Sequence, residues 1–176
     1  MQGAPIVGGN GFSICLFKQI HADSVNQNMR DTLRPPVGKH TFGSATQPQR
    51  DAYKQAREWM DRGLAGIRAG VGSDEIAALL PKAEEFGFES EMAAFGLQFA
   101  HGLGLGLHER PIISRLNSMK EPVEIQAGMV FALETYCPAS DGFSAARIEE
   151  EVVVTEDGPR VITLFPAQDL VVTNPY

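Results

Sequence analysis

The stretch SAARIEEEVVVTEDGPRVITLF, residues 144–165, leaves a chain few folding options. β-Branched residues crowd both sides of Asp157-Gly158, a pair that favours the tight turn of a hairpin. Two earlier runs have the same character. FGLQFAHGLG begins at Phe95 and GMVFALETY at Gly128, each bounded by Gly, Pro, Asn or Ser. Short apolar runs rich in β-branched and aromatic residues, with turn residues between them, predict consecutive strands over 95–170.

Residues 47–87 carry a different period. In QPQRDAYKQAREWMDRGLAGIRAG, residues Tyr53, Ala56, Met60, Leu64 and Ile67 recur at three- and four-residue spacing, the apolar stripe of an amphipathic helix. Pro48 suits its first turn, and Gly70 with Gly72 supplies a stop. Trp59 is expected as a core or interface aromatic. A second helix is predicted in SDEIAALLPKAEEFG, with Ser73 as its cap, Asp74 and Glu75 in its first turn, and Pro81 kinking it or ending it early. Helices followed by a run of strands predict an α+β fold, with the helices packed on one face of a mostly antiparallel sheet. Residues 1–46 are irregular, with at most one strand over Phe12–Phe17. A chain of 176 residues, 43% of them hydrophobic, reads as a single domain spanning 1–176.

Charge and composition exclude several roles. A net charge of −7 argues against nucleic acid, whose phosphates need basic patches, and gives no attraction to an anionic membrane. Cys15 and Cys137 are far apart and make no CxxC pattern, so both are expected as reduced, buried thiols. The start, MQGAPIVGGNGFSICLFK, lacks a basic region followed by a long apolar run. The expectation is a cytoplasmic protein with no membrane span.

Four ligand-type side chains stand out in the strand-rich half. HGLGLGLHE places His101 and His108 seven residues apart, with glycines alternating between them. Glycine there lowers backbone order and packs nothing, so a close approach of the backbone is the expected return. Glu134 interrupts the apolar run MVFAL, where an ionised carboxylate is costly unless a cation or donors compensate it. Pairing with Arg147 or Arg160 would do so. Glu149 opens the triplet Glu149-Glu150-Glu151 ahead of three valines. Strand alternation turns Glu149 and Glu151 to one face and Glu150 to the other. Glu150 and Glu151 are expected as solvated edge charges. One imidazole and two carboxylates from neighbouring strands suit Mn, Fe, Co or Zn.

The block HGLGLGLHERP, GMVFALETYCP, AARIEEEVVVTEDG resembles the C-terminal half of the creatinase/methionine aminopeptidase family, the "pita-bread" metallopeptidases that include Xaa-Pro aminopeptidase and prolidase. The resemblance implies a partial pita-bread fold with a curved sheet. It also implies a divalent transition metal held by His101, Glu134 and Glu149, with His108 as the catalytic histidine near the scissile bond. Glu149 would be the ligand that bridges two ions. The implied activity is hydrolysis of Xaa-Pro-type peptides by metal-activated water, on a small-molecule or short-peptide substrate, in a homodimer. The alternating glycines would bring the backbone close to the metal cluster and the substrate.

The chain departs from that family in two respects. Two aspartate ligands expected upstream of the first helix fall near Asn26 and at Val37, just before Lys39-His40-Thr41-Phe42. Asp23 and Asp31 have the wrong spacing, and Asp51 and Asp61 sit on the predicted helix as surface charges. One ion held without them is therefore an alternative to two. In addition, Glu134-Thr135-Tyr136-Cys137-Pro138, with ERPIISR and LFPAQDL, is similar to a branch that includes dimethylsulfoniopropionate lyases, which cleave a C–S bond by elimination. A truncated, non-catalytic remnant of the family is the third reading.

Overall fold

The computed structural model describes residues 40–42, 44–94 and 98–173. The expected strand Phe12–Phe17, Cys15, and positions 23, 26, 31 and 37 lie outside them. The described elements run β1 (His40–Phe42), α1 (Gln47–Gly66), α2 (Ser73–Leu79), a 3-10 turn (Ala83–Phe86), β2 (Ala100–Gly102), β3 (Glu109–Ile113), α3 (Arg115–Ser118), β4 (Val130–Pro138), β5 (Ala145–Thr155), β6 (Gly158–Val161) and β7 (Val171–Thr173).

A reciprocal cap starts α1. Thr46 Oγ1 accepts from the Gln49 amide at 3.4 Å, while Gln49 Oε1 accepts from the Thr46 amide at 3.0 Å. The predicted stripe is the buried one: Tyr53, Ala56, Met60 and Ile67 are buried, with Leu64 packed against them. Trp59 is in the core, its ring 5.3 Å from that of Phe86. The second helix corrects one expectation. Gly72, not Ser73, is the capping residue; Ser73 is already helical, and its hydroxyl accepts from the Val123 amide at 3.0 Å. The helix ends before Leu80-Pro81, as the proline requires.

Five strands form one antiparallel sheet in the order β3-β2-β4-β5-β6. At the hairpin between β5 and β6, Thr155 pairs with Gly158, whose φ of +122° is the left-handed backbone expected at Asp157-Gly158. β1 and β7 pair in parallel as a separate two-stranded ribbon. Sequence reading missed β3 because ERPII carries charges and Pro111. A proline is tolerated there because β3 lies at the sheet edge.

Register sorts the sheet into two faces. Glu134 lies directly across from Glu149, Leu133 from Glu150, and Ala132 from Glu151. Phe131, Leu133, Ile148, Val152 and Val154 are buried on the face that α1 covers. Thr135 Oγ1 donates to the Ala56 carbonyl at 2.9 Å, tying β4 to the helix. A Cβ on Gly63 would come within 3.3 Å of Leu133 and Leu80, so glycine lets α1 ride close to the sheet. This is the expected α+β arrangement, with helix packed on one sheet face.

The expectation for Glu150 is overturned. It is 3% exposed and ion-paired with Arg57 of α1 at 3.3 Å. Alternation had already turned it toward the helices, and only an opposite charge arriving from α1 makes that burial tolerable. Glu151 is half-buried on the other face. Beside Arg57 on α1, Tyr53 donates its hydroxyl to the Ala167 carbonyl at 3.0 Å, and burial pushes its pKa up to about 12. Cys137 is a buried free thiol, its pKa raised by burial to about 11. Among the described residues no helix is long and apolar enough to cross a membrane.

Candidate metal centre

Three neighbouring strands supply the face opposite α1. β2 contributes His101, which pairs with Ala132; two residues along β4 from Ala132 stands Glu134, on the same face. β5 sets Glu149 directly opposite Glu134. Residues opposed in an antiparallel ladder carry their Cβ atoms about 4.5–5.5 Å apart on one side of the sheet. The sequence dictates this convergence, because all three positions share parity once the register is set by the hydrophobic side.

His101 is 1% exposed, and its Nδ1 lies 3.1 Å from the Gly102 carbonyl. A carbonyl can only accept, so that contact assigns the proton to Nδ1 and turns Nε2 outward as a lone-pair donor. Nε2 faces Glu134 Oε1 at 3.3 Å. A neutral Nε2 and a carboxylate oxygen are both acceptors, and this approach fits a cation or a proton between them. The other Glu134 oxygen is ion-paired with the Arg147 guanidinium. Arg147 is thus the partner that compensates Glu134 and fixes its orientation; Arg160 lies on β6.

His108 is exposed, and its ring stacks on that of His101 with centroids 3.9 Å apart and planes inclined by 29°. One ligand atom from each of His101, His108 and Glu134 lies within 4.8 Å of the other two. Zinc-type ions take nitrogen and carboxylate oxygen at about 2.0–2.2 Å, so small side-chain adjustments close such a set onto one ion. The donor chemistry fits a divalent transition metal. Glu149 does not belong to that close trio, but it is 5% exposed at the rung beside Glu134. Two carboxylates buried on adjacent strands repel one another, a penalty that a divalent cation reverses.

The glycines of HGLGLGLHE do make close approaches, here to groups of β3. A Cβ on Gly102 would meet the Arg110 carbonyl oxygen at 2.7 Å, and one on Gly104 would meet Glu109 Oε2 at 2.5 Å. The loop is wrapped around a carboxylate of its own. Sequence reading passed over Glu109; alternate glycines just upstream of an acidic residue were the available signal. Asp51 and Asp61 are exposed on α1, as expected, and Asp61 is paired with Arg57.

Comparison with known proteins bears on the fold and the family. A Xaa-Pro dipeptidase of Pyrococcus furiosus is 29% identical over 69% of the chain, and a methionine aminopeptidase B of Synechocystis is 32% identical over 84%. The structure of a Xaa-Pro dipeptidase from Bacillus anthracis superposes over 76% of the chain, with a TM-score of 0.60 and 26% identity. These likenesses match the expected partial pita-bread fold. The chain spans 33% of the Pyrococcus protein, 61% of the Synechocystis one and 35% of the Bacillus structure. The sequence model of metallopeptidase family M24 matches residues 37–156, the stretch that runs from β1 through the paired glutamates to the end of β5. The chain belongs to metallopeptidase family M24.

Proposed function

We propose that this chain carries the metal-binding part of a peptidase site that hydrolyses Xaa-Pro-type short peptides in the cytoplasm. His101, Glu134 and Glu149 hold a divalent transition ion (Mn, Fe, Co or Zn), and His108 faces the substrate. The observation that carries this reading is the approach of His101 Nε2 to Glu134 Oε1 at 3.3 Å, both groups buried.

A bound ion supplies Lewis-acid polarisation of the scissile carbonyl and activation of the attacking water. The chain's own residues do the rest. The Gly102 carbonyl holds His101 in the tautomer that ligates, and Arg147 holds Glu134 at the shared edge. His108, exposed beside the ligands, donates a hydrogen bond to charge developing on the substrate carbonyl oxygen. A carboxylate oxygen of Glu134 or Glu149 takes and returns the proton. The relatives named above are described as peptidases, and no observation of this site favours elimination of a C–S bond over hydrolysis.

The test is metal analysis of the purified chain, followed by assay on a Xaa-Pro dipeptide. At least one transition ion per chain is expected, lost in His101→Ala, with cleavage that requires it. A chain that binds no ion above background is a non-catalytic remnant. A chain that binds an ion yet cleaves only dimethylsulfoniopropionate is a lyase.

A further inference from the structure

Glu109 is engaged in a way that the ligand set does not explain. It pairs across the β2–β3 ladder with Gly102, at the point where the register slips between His101 and Gly102. The loop 103–108 leaves and returns at that rung, so His101 and His108 flank it on either side. The Glu109 carboxylate folds back into the loop, and its Oε1 accepts a hydrogen bond from the Gly106 amide. A Cβ on Gly104 would stand 2.5 Å from Oε2, and one on Gly106 would stand 3.3 Å from Cγ. Neither glycine is among the positive-φ residues, Gly70, Gly87, Gly128, Gly142 and Gly158. Their small size therefore serves the carboxylate and not a left-handed turn.

We propose that Glu109 is a positioning residue: its carboxylate clamps the glycine loop from inside and so holds the His108 ring against His101. The physical case is one of entropy set against a charged hydrogen bond. A loop with glycine at 102, 104 and 106 has wide backbone freedom, and Leu105 at its tip is fully exposed. A carboxylate accepting a backbone N–H makes one of the stronger hydrogen bonds available. Because Glu109 follows His108 directly, fixing its carboxylate against Gly106 fixes the chain direction at His108. The 3.9 Å ring stack is the result.

This inference rests on the reading that His108 faces substrate, but its test does not depend on activity. Nuclear magnetic resonance of the histidine-labelled chain reads the ring-to-ring Overhauser contact between His101 and His108, together with hydrogen exchange at the Gly106 amide. In Glu109→Ala the contact is lost and Gly106 exchanges about tenfold faster or more, the loss expected for one charge-assisted bond. Glu109→Gln, whose amide oxygen still accepts, keeps the contact. If Glu109→Ala does not fold, Gly104→Ala takes its place, since the new methyl must displace the carboxylate, and the same two losses are expected. Persistence of the ring contact and of slow Gly106 exchange in either folded variant overturns the proposal. Undiminished peptidase activity in His108→Ala would instead end the reading of His108 and leave the clamp standing.

Discussion

Glu149 and Glu150 are adjacent in sequence, buried to a similar degree, and opposite in what surrounds them. Glu150 points under the sheet, where Arg57 of α1 meets it at 3.3 Å and apolar residues close round the pair. Glu149 points above it, at the rung shared with Glu134 and on the face that bears His101. A strand with alternating sides gives two identical carboxylates two trades. Below, a protein cation completes the charge and makes a structural joint. Above, His101 Nε2 and Glu134 Oε1 approach to 3.3 Å, with Glu149 at the next rung. Among the described residues, Arg147, 34% exposed, pairs with Glu134 at the edge of that set. The faces thus differ in what each carboxylate meets: Glu150 an arginine of α1, Glu149 the rung of Glu134.

The largest expected effect tests the lower face. Arg57→Met removes the cation paired with the buried Glu150 and should cost about 3–5 kcal/mol of stability, read by urea unfolding. Adding Glu150→Leu should restore most of that loss, because an apolar pair of similar volume avoids the desolvation of both charges. If the double variant stays as unstable as the single one, the joint is more than a compensated burial. A smaller effect comes from Tyr53 on the same helix. The unfolded tyrosine ionises near its ordinary value of about 10, and the folded one near 12. Above pH 10 the unfolded state sheds a proton that the folded state keeps, so stability falls as pH rises from 10 to 12. The total is about 2–3 kcal/mol. Tyr53→Phe removes that part of the alkaline slope. Equal slopes in the two proteins would place the buried hydroxyl in a wetter setting than its 3% exposure indicates.

The legible part of this molecule is the part ruled by periodicity. The stripe through Tyr53, Ala56 and Met60, the long strands β4 and β5, and the turn at Asp157-Gly158 are local patterns of burial and backbone, and they read directly from the letters. The need of Glu134 for a partner was legible for a related reason, since a carboxylate inside an apolar run is a cost that needs compensation. What stayed hidden depended on partners distant in sequence. Glu150 reads as a solvated charge until Arg57, on another element, is placed beneath it. Strands β1 and β7, three residues each, pair across the whole chain and have no local signature. The glycine loop is legible in part: the alternation shows that something approaches the backbone closely, but not that Glu109 is among the groups that do.

The central claim is that the upper face gathers an imidazole and two strand-borne carboxylates around a single ion. Anomalous diffraction from manganese-soaked crystals of the chain tests it most directly. The account predicts a peak beside His101 Nε2 and Glu134 Oε1, with a Glu149 oxygen also at the bonding distance of about 2.0–2.6 Å. A peak elsewhere on the chain, or a bound ion that Glu149 does not reach, would contradict it.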